Sequence, residues 1–323
     1  MMKTKRGDTL DNKIINRENS RENILKLASQ NRIYSKAKRI LGLQIITQVV
    51  LTITLSLLPM FITDSVLTSI NIKKEHFSIF IVCSSILLTV FDLIVMTPII
   101  RKWKELAASI QEDFDCTVLA IPWNGIKIDM LDKESISKYA NEFIEVGGSL
   151  DYFKNWYSPE ELKNLPLEVA RIICQRTNCW WDSYLRNKFK RDIIVFSSLL
   201  FFILFIIGII REMTVYNLVV NVFFPFLPAL TFTINQVRDN AESIKRAEKL
   251  KNISDDYWRQ VISNPNNFNL LNDLSRKLQD EISENRRTSP LIFDWYYRKY
   301  KSLQQRDTDF TAQTMIDQYN SII

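Results

Sequence analysis

The sequence predicts a predominantly α-helical membrane protein, with four transmembrane helices and a cytosolic helical domain that contains a small β-hairpin. The apolar residues concentrate in four blocks of 22, 24, 18 and 20 residues, which are 41–62, 77–100, 193–210 and 215–234. About 20 residues of helix cross the ~30 Å hydrocarbon layer of a bilayer. The blocks show almost no polar face, whereas a core helix of a water-soluble domain normally carries one. Four transmembrane helices are therefore expected.

The distribution of positive charge predicts how these helices are oriented. Residues 1–40 carry eleven Lys/Arg against four Asp/Glu, and no apolar signal segment precedes Leu41. The loops 63–76 and 211–214 hold only three Lys/Arg between them, whereas basic clusters flank the opposite ends of the blocks. An excess of Lys and Arg marks cytoplasmic loops. Both termini and the segment 101–192 are therefore predicted to face the cytoplasm.

The blocks divide the chain into five segments. They are a basic amphipathic arm (1–40), transmembrane helices 1 and 2 (41–100), a cytosolic central domain (101–192), transmembrane helices 3 and 4 (193–234) and a cytosolic C-terminal helical domain (235–323). In the central domain, Pro122 and Gly125 punctuate two short apolar runs, a pattern that predicts the small hairpin. No helix breaker occurs between Pro166 and Gly208, so one helix is predicted to run from the cytosol into the third block.

The sequence offers no catalytic constellation, and we predict that the protein is not an enzyme. Its six glycines form neither a GxGxxG motif nor a phosphate-binding loop, and no HExxH or GxSxG motif occurs. The four cysteines and the single histidine, His76, do not make a zinc set, so neither a metal nor a resident cofactor is expected. The net charge of +6 is explained by membrane orientation and by attraction to anionic lipids. DNA is therefore not an expected partner.

Residues 176–189, RTNCWWDSYLRNKF, place two adjacent tryptophans among basic side chains shortly before the third block. If this stretch is helical, Trp181 lies ~18 Å from Ile193 along the helix axis, beyond the interfacial zone where tryptophans form a membrane belt. One interpretation is that the aromatic residues form the packing surface of a cytosolic domain. The other is a binding site, because aromatic faces stack nucleobases and guanidinium groups hold phosphates.

Four segments, in this order and spacing, resemble the S-4TM family, the SMODS-associated four-transmembrane pore-forming effectors: NILKLASQNRIYSKAK, AASIQEDFDCTVLAIPWN, RIICQRTNCWWDSYLR and SPLIFDWYY. The resemblance covers nearly the whole chain. It implies a multi-pass protein of the bacterial inner membrane that acts in CBASS anti-phage defence. A cognate nucleotidyltransferase of the cGAS/DncV-like type would make a cyclic oligonucleotide on infection. That activating ligand would bind the effector, which would permeabilise the membrane and cause abortive infection.

The implied ligand carries phosphates and flat bases, so its receptor needs arginines and aromatic faces together. The IPWN segment and the tryptophan motif supply both, and we hypothesise that they converge into one pocket. The candidate ligand-binding residues are Trp123, Asn124, Arg171, Arg176, Asn178, Trp180, Trp181, Asp182 and Arg186. The alternative is that Trp123 and Trp181 simply pack together in a core.

Polar side chains inside the apolar blocks are candidates for a pore lining. They are Gln44, Gln48, Asp92, Asn217 and Asn221. The alternative is that they form hydrogen bonds between helices. Four helices enclose too little space for a wet channel, so a pore implies several subunits and hence a homo-oligomer. Two other functions stay open: a membrane-anchored nucleotide sensor or adaptor without a pore, and a small ion channel or transporter.

Overall fold

The computed structural model describes residues 12–62, 64–69, 71–157, 159–265 and 267–323, apart from the side chains of residues 60, 64, 68, 180–182 and 301–308. All regular secondary structure in these residues is helical. The α-helices are α1 (Ile14–Glu18), α2 (Arg21–Ile45), α3 (Leu51–Phe61), α4 (Asp64–Ser69), α5 (Lys74–Phe91), α6 (Thr97–Val118), α7 (Lys133–Glu145), α8 (Leu167–Ile210), α9 (Val215–Leu218), α10 (Phe224–Ser263), α11 (Phe268–Thr288) and α12 (Asp294–Ile322). Short 3₁₀ helices cover Leu150–Phe153 and Glu160–Asn164.

The chain forms two compact units. The membrane unit comprises Ala37–Lys102 and Asn187–Glu242. The extramembrane unit comprises Trp103–Arg186, Ser243–Ile323 and the chain up to Lys36. Each unit is therefore completed by segments that lie far apart in the sequence, and each has its own hydrophobic core.

Four helices are long and apolar enough to cross a bilayer, and they are Arg21–Pro59, Lys74–Val118, Leu167–Ile210 and Val215–Ser263. Each contains one of the four apolar blocks, so the prediction of four helices of membrane-spanning length is confirmed. Their most apolar windows are mostly unburied within the chain, and in the third helix only 11% of that window is buried. Such a surface is stable only when hydrocarbon covers it.

Three π-helical turns interrupt the helices of the membrane unit, at Ile46–Val50, Asp92–Met96 and Val219–Phe223. A π-turn adds one residue to a helical turn and so rotates the face that all following residues present. Each of the three contains one buried polar side chain, which is Gln48, Asp92 or Asn221, respectively. The third π-turn directly precedes α10, whose first and second turns hold Pro225 and Pro228. The helices thus depart from regular geometry where the sequence places amides, a carboxylate and prolines.

The core of the extramembrane unit is built mainly by the amphipathic faces of its helices. The arm helix α2 contributes Ile24 and Leu27, and α6 contributes Phe114, which is fully buried. The ring of Phe114 stacks on that of Tyr157 at a centroid distance of 6.3 Å. The C-terminal helix α12 adds Met315. The predicted amphipathic arm therefore serves as a core element of this unit.

The predicted β-hairpin in residues 116–131 is wrong, because the described part of the chain contains no strand. Helix α6 continues through Val118 and takes up the first apolar run, since that run extends the buried face of the helix. The second run has no buried face, and its Ile126 is 98% exposed. A strand there would have had no partner and no core to cover.

The backbone carbonyls of this loop accept hydrogen bonds from guanidinium groups, where a strand would have bonded to a neighbouring strand. Arg171 donates from Nε to the carbonyl of Leu119 and from Nη2 to that of Ala120. Arg276 donates from Nη1 to the carbonyl of Pro122 at 2.6 Å. Buried backbone carbonyls need such donors, because an unsatisfied one costs roughly 1–3 kcal/mol. Two arginines therefore fix the course of the chain after α6.

Replacing Arg171 by Met should lower the stability of the protein. Arg171→Met keeps an apolar side chain but removes the donors for the buried carbonyl of Leu119 and the more exposed carbonyl of Ala120, which corresponds to a loss on the order of 1–3 kcal/mol. Thermal unfolding of the full chain in detergent measures it. Arg259→Met is the matched control, because Arg259 is exposed and pairs with Asp256 on the same helix. Equal melting temperatures for the two variants would contradict this role of Arg171.

Candidate functional site

A fully buried carboxylate, Asp115, lies at the centre of the extramembrane unit. Its Oδ1 accepts the hydroxyl of Tyr157 at 2.7 Å. Its Oδ2 accepts Arg286 Nη1 at 2.5 Å and Gln279 Nε2 at 3.1 Å. Burial and the neighbouring Asp115 carboxylate raise the pKa of Tyr157 well above its usual value, so its hydroxyl remains a donor. The charge of Asp115 is thus compensated by one guanidinium and two neutral donors.

A second buried carboxylate one turn earlier, Glu112, connects this centre to the surface. Glu112 accepts Arg276 Nη2 at 2.9 Å and Gln279 Nε2 at 2.7 Å. Arg276 also donates to Asp280 at 2.7 Å. Removing one partner of such a buried pair typically costs about 3–5 kcal/mol, because the other charge is left uncompensated. The QEDFDC stretch of α6 is therefore bound firmly to α11.

The network ends at an open groove of about 170 Å³. The groove lies between the loop after Pro122 and helices α10 and α11. Its lining residues are Lys127, Leu250, Ile253, Tyr257, Lys277, Leu278, Asp280 and Glu281. Asp280 is held by Asn124 Nδ2 at 3.1 Å and by Lys127 Nζ at 3.5 Å, besides its bond to Arg276. We call these eight residues the groove.

The groove holds two lysines, the ring of Tyr257 and apolar side chains beside the carboxylates of Asp280 and Glu281. Lysine side chains can neutralise phosphate oxygens, and an aromatic ring can stack on a base. Asp280 already has three donor partners, which are Asn124, Lys127 and Arg276. Its carboxylate therefore repels a bound anion less strongly than a carboxylate without partners would. Ligand pockets typically measure about 300–1,000 Å³. The groove, at about 170 Å³, is smaller than such a pocket.

One residue of the IPWN and tryptophan motifs, Asn124, bonds to a groove residue, and two others have contacts elsewhere in the same unit. Asn124 contacts the groove directly through Asp280. Trp123 is half-buried and packs against the main core. Arg176 pairs through Nε with Asp255 at 2.5 Å, and Asp255 lies on the side of α10 opposite to the groove residues Ile253 and Tyr257.

Other predicted ligand residues have structural contacts. Arg186 is buried and donates to the carbonyl of Pro290 at 2.8 Å, and Arg171 binds the loop carbonyls described above. Asn178 donates to the hydroxyl of Tyr157 at 3.4 Å. The side chains of Trp180, Trp181 and Asp182 lie outside the described residues. The guanidinium groups of Arg171 and Arg186 are thus already engaged by backbone oxygen atoms.

Sequence reasoning missed the groove residues Lys127, Tyr257 and Lys277. Lys127 lies three positions after the quoted IPWN segment, and none of the motifs read from the sequence includes it. The other two lie on α10 and α11, more than 120 residues further along. Exposed lysines and a tyrosine on amphipathic helices are ordinary, so only the fold brings these residues together.

The polar residues of the membrane unit form hydrogen bonds within it. Gln44 Nε2 donates to Asp92 Oδ1 at 2.5 Å, and Gln48 Nε2 donates to the carbonyl of Leu88 at 3.0 Å. Asn221 Oδ1 accepts the hydroxyl of Ser78 at 3.3 Å. Asn217 is half-buried, and its backbone N–H donates to the hydroxyl of Thr214. The side chains of Gln44, Gln48 and Asn221 thus form hydrogen bonds between helices, as in the alternative to a pore lining.

Four helices of membrane-spanning length define a multi-pass α-helical membrane protein. The family model described as "SMODS-associating 4TM effector domain" matches residues 12–315, and the chain belongs to that family. A relative from Bacillus cereus (strain VD146), named "Probable CBASS effector molecule IK1_05631", is 26% identical over 289 residues, which are 88% of this chain and 92% of the relative. No solved structure matches the chain. The family resemblance seen in the sequence motifs is confirmed.

One buried acid of the extramembrane unit does not have a full set of partners. Glu18, at the end of α1, is fully buried, and its Oε2 accepts the backbone N–H of Tyr157 at 2.8 Å. Its Oε1 has no hydrogen-bond partner among the described residues. Burial raises the pKa of the Glu18 carboxyl from 4.5 to about 7. Between pH 4.5 and about 7, the Glu18 carboxyl therefore holds a proton in the folded protein that it releases in the unfolded chain.

The stability of this unit should depend on pH through Glu18. Between pH 4.5 and about 7 the folded state binds more protons at this site than the unfolded state, so the free energy of unfolding falls as pH rises. Glu18→Gln removes the ionisation and should recover on the order of 1–3 kcal/mol at pH ~8. Melting temperatures of the parent and the variant across this range measure the effect. Parallel curves for the two proteins would show that Glu18 does not titrate as described.

Proposed function

We propose that this protein is a membrane effector of CBASS anti-phage defence. In this proposal a cognate cGAS/DncV-like nucleotidyltransferase makes a cyclic oligonucleotide, which binds the extramembrane unit in the cytosol. The effector then oligomerises or rearranges and permeabilises the bacterial inner membrane, so that the infected cell dies before the phage matures. The observation that carries the proposal is the family match, which extends over residues 12–315 and thus includes both units.

The groove is the proposed first contact of the ligand. Lys127 and Lys277 would bind phosphate oxygens, and Tyr257 would stack on a base. Lysine suits this position, because it neutralises a phosphate as a mobile point charge. The apolar floor formed by Leu250 and Ile253 would exclude water from the base. The groove is small, so the rest of a cyclic ligand would extend towards neighbouring side chains.

Residues of the IPWN and tryptophan motifs are the proposed further contacts. The pair between Arg176 and Asp255 is only partly buried, with side-chain exposures of 17% and 35%. A ligand phosphate could therefore replace Asp255 as the partner of Arg176. A bidentate contact between a guanidinium group and a phosphate, with two parallel hydrogen bonds, is strong. Asn124 would contribute its amide, and the TNCWWD stretch of α8 would supply aromatic faces. Arg171 and Arg186 are proposed to position the loop and the segment at Pro290.

The proposed location of the groove follows from the charge asymmetry of the loops. The arm, the central segment and the C-terminal segment together form the extramembrane unit, and the predicted topology places all three in the cytoplasm. A nucleotide made in the cytosol could reach the groove from that side. Both chain termini would then lie in the cytoplasm.

Leakage from liposomes that contain the purified protein tests the proposal. A panel of cyclic di- and trinucleotides is added, and release of encapsulated potassium ions is followed. The effector proposal expects release only with a matching nucleotide. A nucleotide that binds without causing release would identify an adaptor, and unprompted release would identify a constitutive channel or transporter.

A charge reversal in the groove tests the ligand site. Lys277→Glu should raise the nucleotide concentration for half-maximal leakage by at least ~10-fold, because a phosphate contact becomes a repulsion. Lys133→Glu is the matched control: it makes the same charge change at the exposed start of α7, away from the groove. An unchanged response of Lys277→Glu would place the ligand elsewhere and leave the effector function intact.

A further inference from the structure

A line of polar side chains runs through the interior of the membrane unit. Gln44, Gln48, Thr52 and Ser56 are spaced four residues apart along the first spanning helix, and each is between 0 and 5% exposed. We call these four residues the polar stripe. Twelve residues of helix cover ~18 Å, which is more than half of the ~30 Å hydrocarbon layer.

The π-turn at Ile46–Val50 keeps the stripe on one face of the helix. In a regular α-helix, a residue twelve positions on is rotated by about 120° from the first, because each residue advances about 100°. The extra residue of a π-turn removes about 100° of this rotation, so Gln44 and Ser56 point to the same side. Without the π-turn, one end of the stripe would face the lipid.

The polar groups that accompany the stripe are a carboxyl group, amides, hydroxyls and backbone carbonyls. At one end Gln44 binds Asp92, which is the one acidic or basic residue in the four apolar blocks. Gln48 binds the carbonyl of Leu88. Ser85, on the same helix as Leu88, is fully buried and donates to the carbonyl of Ile81. Oxygen atoms therefore predominate along this interior face, and it holds no cationic side chain.

The other end of the stripe is unsatisfied in this conformation. The hydroxyl groups of Thr52 and Ser56 are fully buried and have no hydrogen-bond partner among the described residues. A buried hydroxyl without a partner costs roughly 1–3 kcal/mol, and lipid hydrocarbon offers it no partner either. Water would satisfy both groups. A conformation in which water reaches the stripe is therefore favoured by these two side chains.

We propose that the polar stripe lines the permeation path of the active protein, and that this path conducts water and small monovalent cations in preference to anions. The proposal rests on the proposed membrane-permeabilising function. Carboxylate, amide and hydroxyl oxygens are the groups that replace the hydration shell of a cation, and a single carboxylate biases a narrow pore towards positive charge. Asp92 supplies this carboxylate, and the polar stripe extends the hydrated path further across the membrane.

Cysteine accessibility tests which residues line the path. Thr52→Cys and Ser56→Cys are made in a Cys83→Ser background, because Cys83 is exposed and the other three cysteines are buried. Thr54→Cys is the matched control: Thr54 is exposed on the other face of the same helix, where its hydroxyl donates to the carbonyl of Val50. Potassium efflux from proteoliposomes is triggered with the cyclic di- or trinucleotide that opens the parent. The cationic thiol reagent MTSET is then added.

The proposal expects MTSET to reduce the triggered potassium flux at least ~5-fold in the Thr52→Cys and Ser56→Cys proteins and to leave the Thr54→Cys protein unchanged. Triggered flux before the reagent is added shows that each variant is folded. Unmodified flux in both stripe variants would overturn the inference while the proposed function stands. A parent without nucleotide-triggered flux would overturn both.

A second variant measures the ion preference and does not depend on cysteine chemistry. Asp92→Asn keeps the size of the side chain and can still bond to Gln44, so it changes mainly the charge. The potassium-to-chloride permeability ratio, taken from reversal potentials across planar bilayers, should fall at least ~3-fold in this variant. An unchanged ratio would show that Asp92 does not line the path and would contradict the proposal.

Discussion

Exposed hydrocarbon on four long helices is the constraint on which the rest of this molecule depends. In the third helix, only 11% of the most apolar window is buried within the chain. Lipid is the medium that covers such a surface, and in lipid every backbone polar group needs a partner within the protein. Helices meet this demand by themselves. Polar side chains inside the spans must also find partners, as Gln44 and Asp92 do with each other.

The extramembrane unit is assembled from three chain segments that lie far apart in the sequence, so contacts between distant residues must hold it together. Asp115 and Glu112 on α6 bind side chains from α11, and Tyr157 joins them from the loop before α8. A buried network of this kind gains specificity of packing when every member has a partner. The groove lies at the surface end of this network, through Asp280. The network therefore positions the candidate ligand residues.

Features set by long, uniform stretches of sequence could be predicted. The four spans follow from apolar blocks of 18 to 24 residues, and α8 follows from the lack of a breaker between Pro166 and Gly208. The amphipathic arm follows from its apolar spacing. The family followed from motifs spread over nearly the whole chain.

Features set by contacts between distant residues could not be predicted. The hairpin prediction failed because short apolar runs do not distinguish a strand from the end of a helix, and because arginines satisfy the loop carbonyls. Arg171 and Arg186 resembled phosphate ligands by composition, yet their partners are backbone oxygens. Lys277 and Tyr257 had no local signal, since their meeting depends on the packing of α10 against α11.

The most direct test of the account is the side of the membrane on which the groove lies. Ile126→Cys, at a position that is 98% exposed beside the groove, and Glu212→Cys, in the short loop before the fourth span, are each made in the Cys83→Ser background. A membrane-impermeant maleimide is applied to intact spheroplasts. The account predicts that the Glu212→Cys protein is labelled at once and that the Ile126→Cys protein is labelled only after lysis. Labelling of Ile126→Cys in intact spheroplasts would contradict it, because a cytosolic nucleotide could not reach the groove.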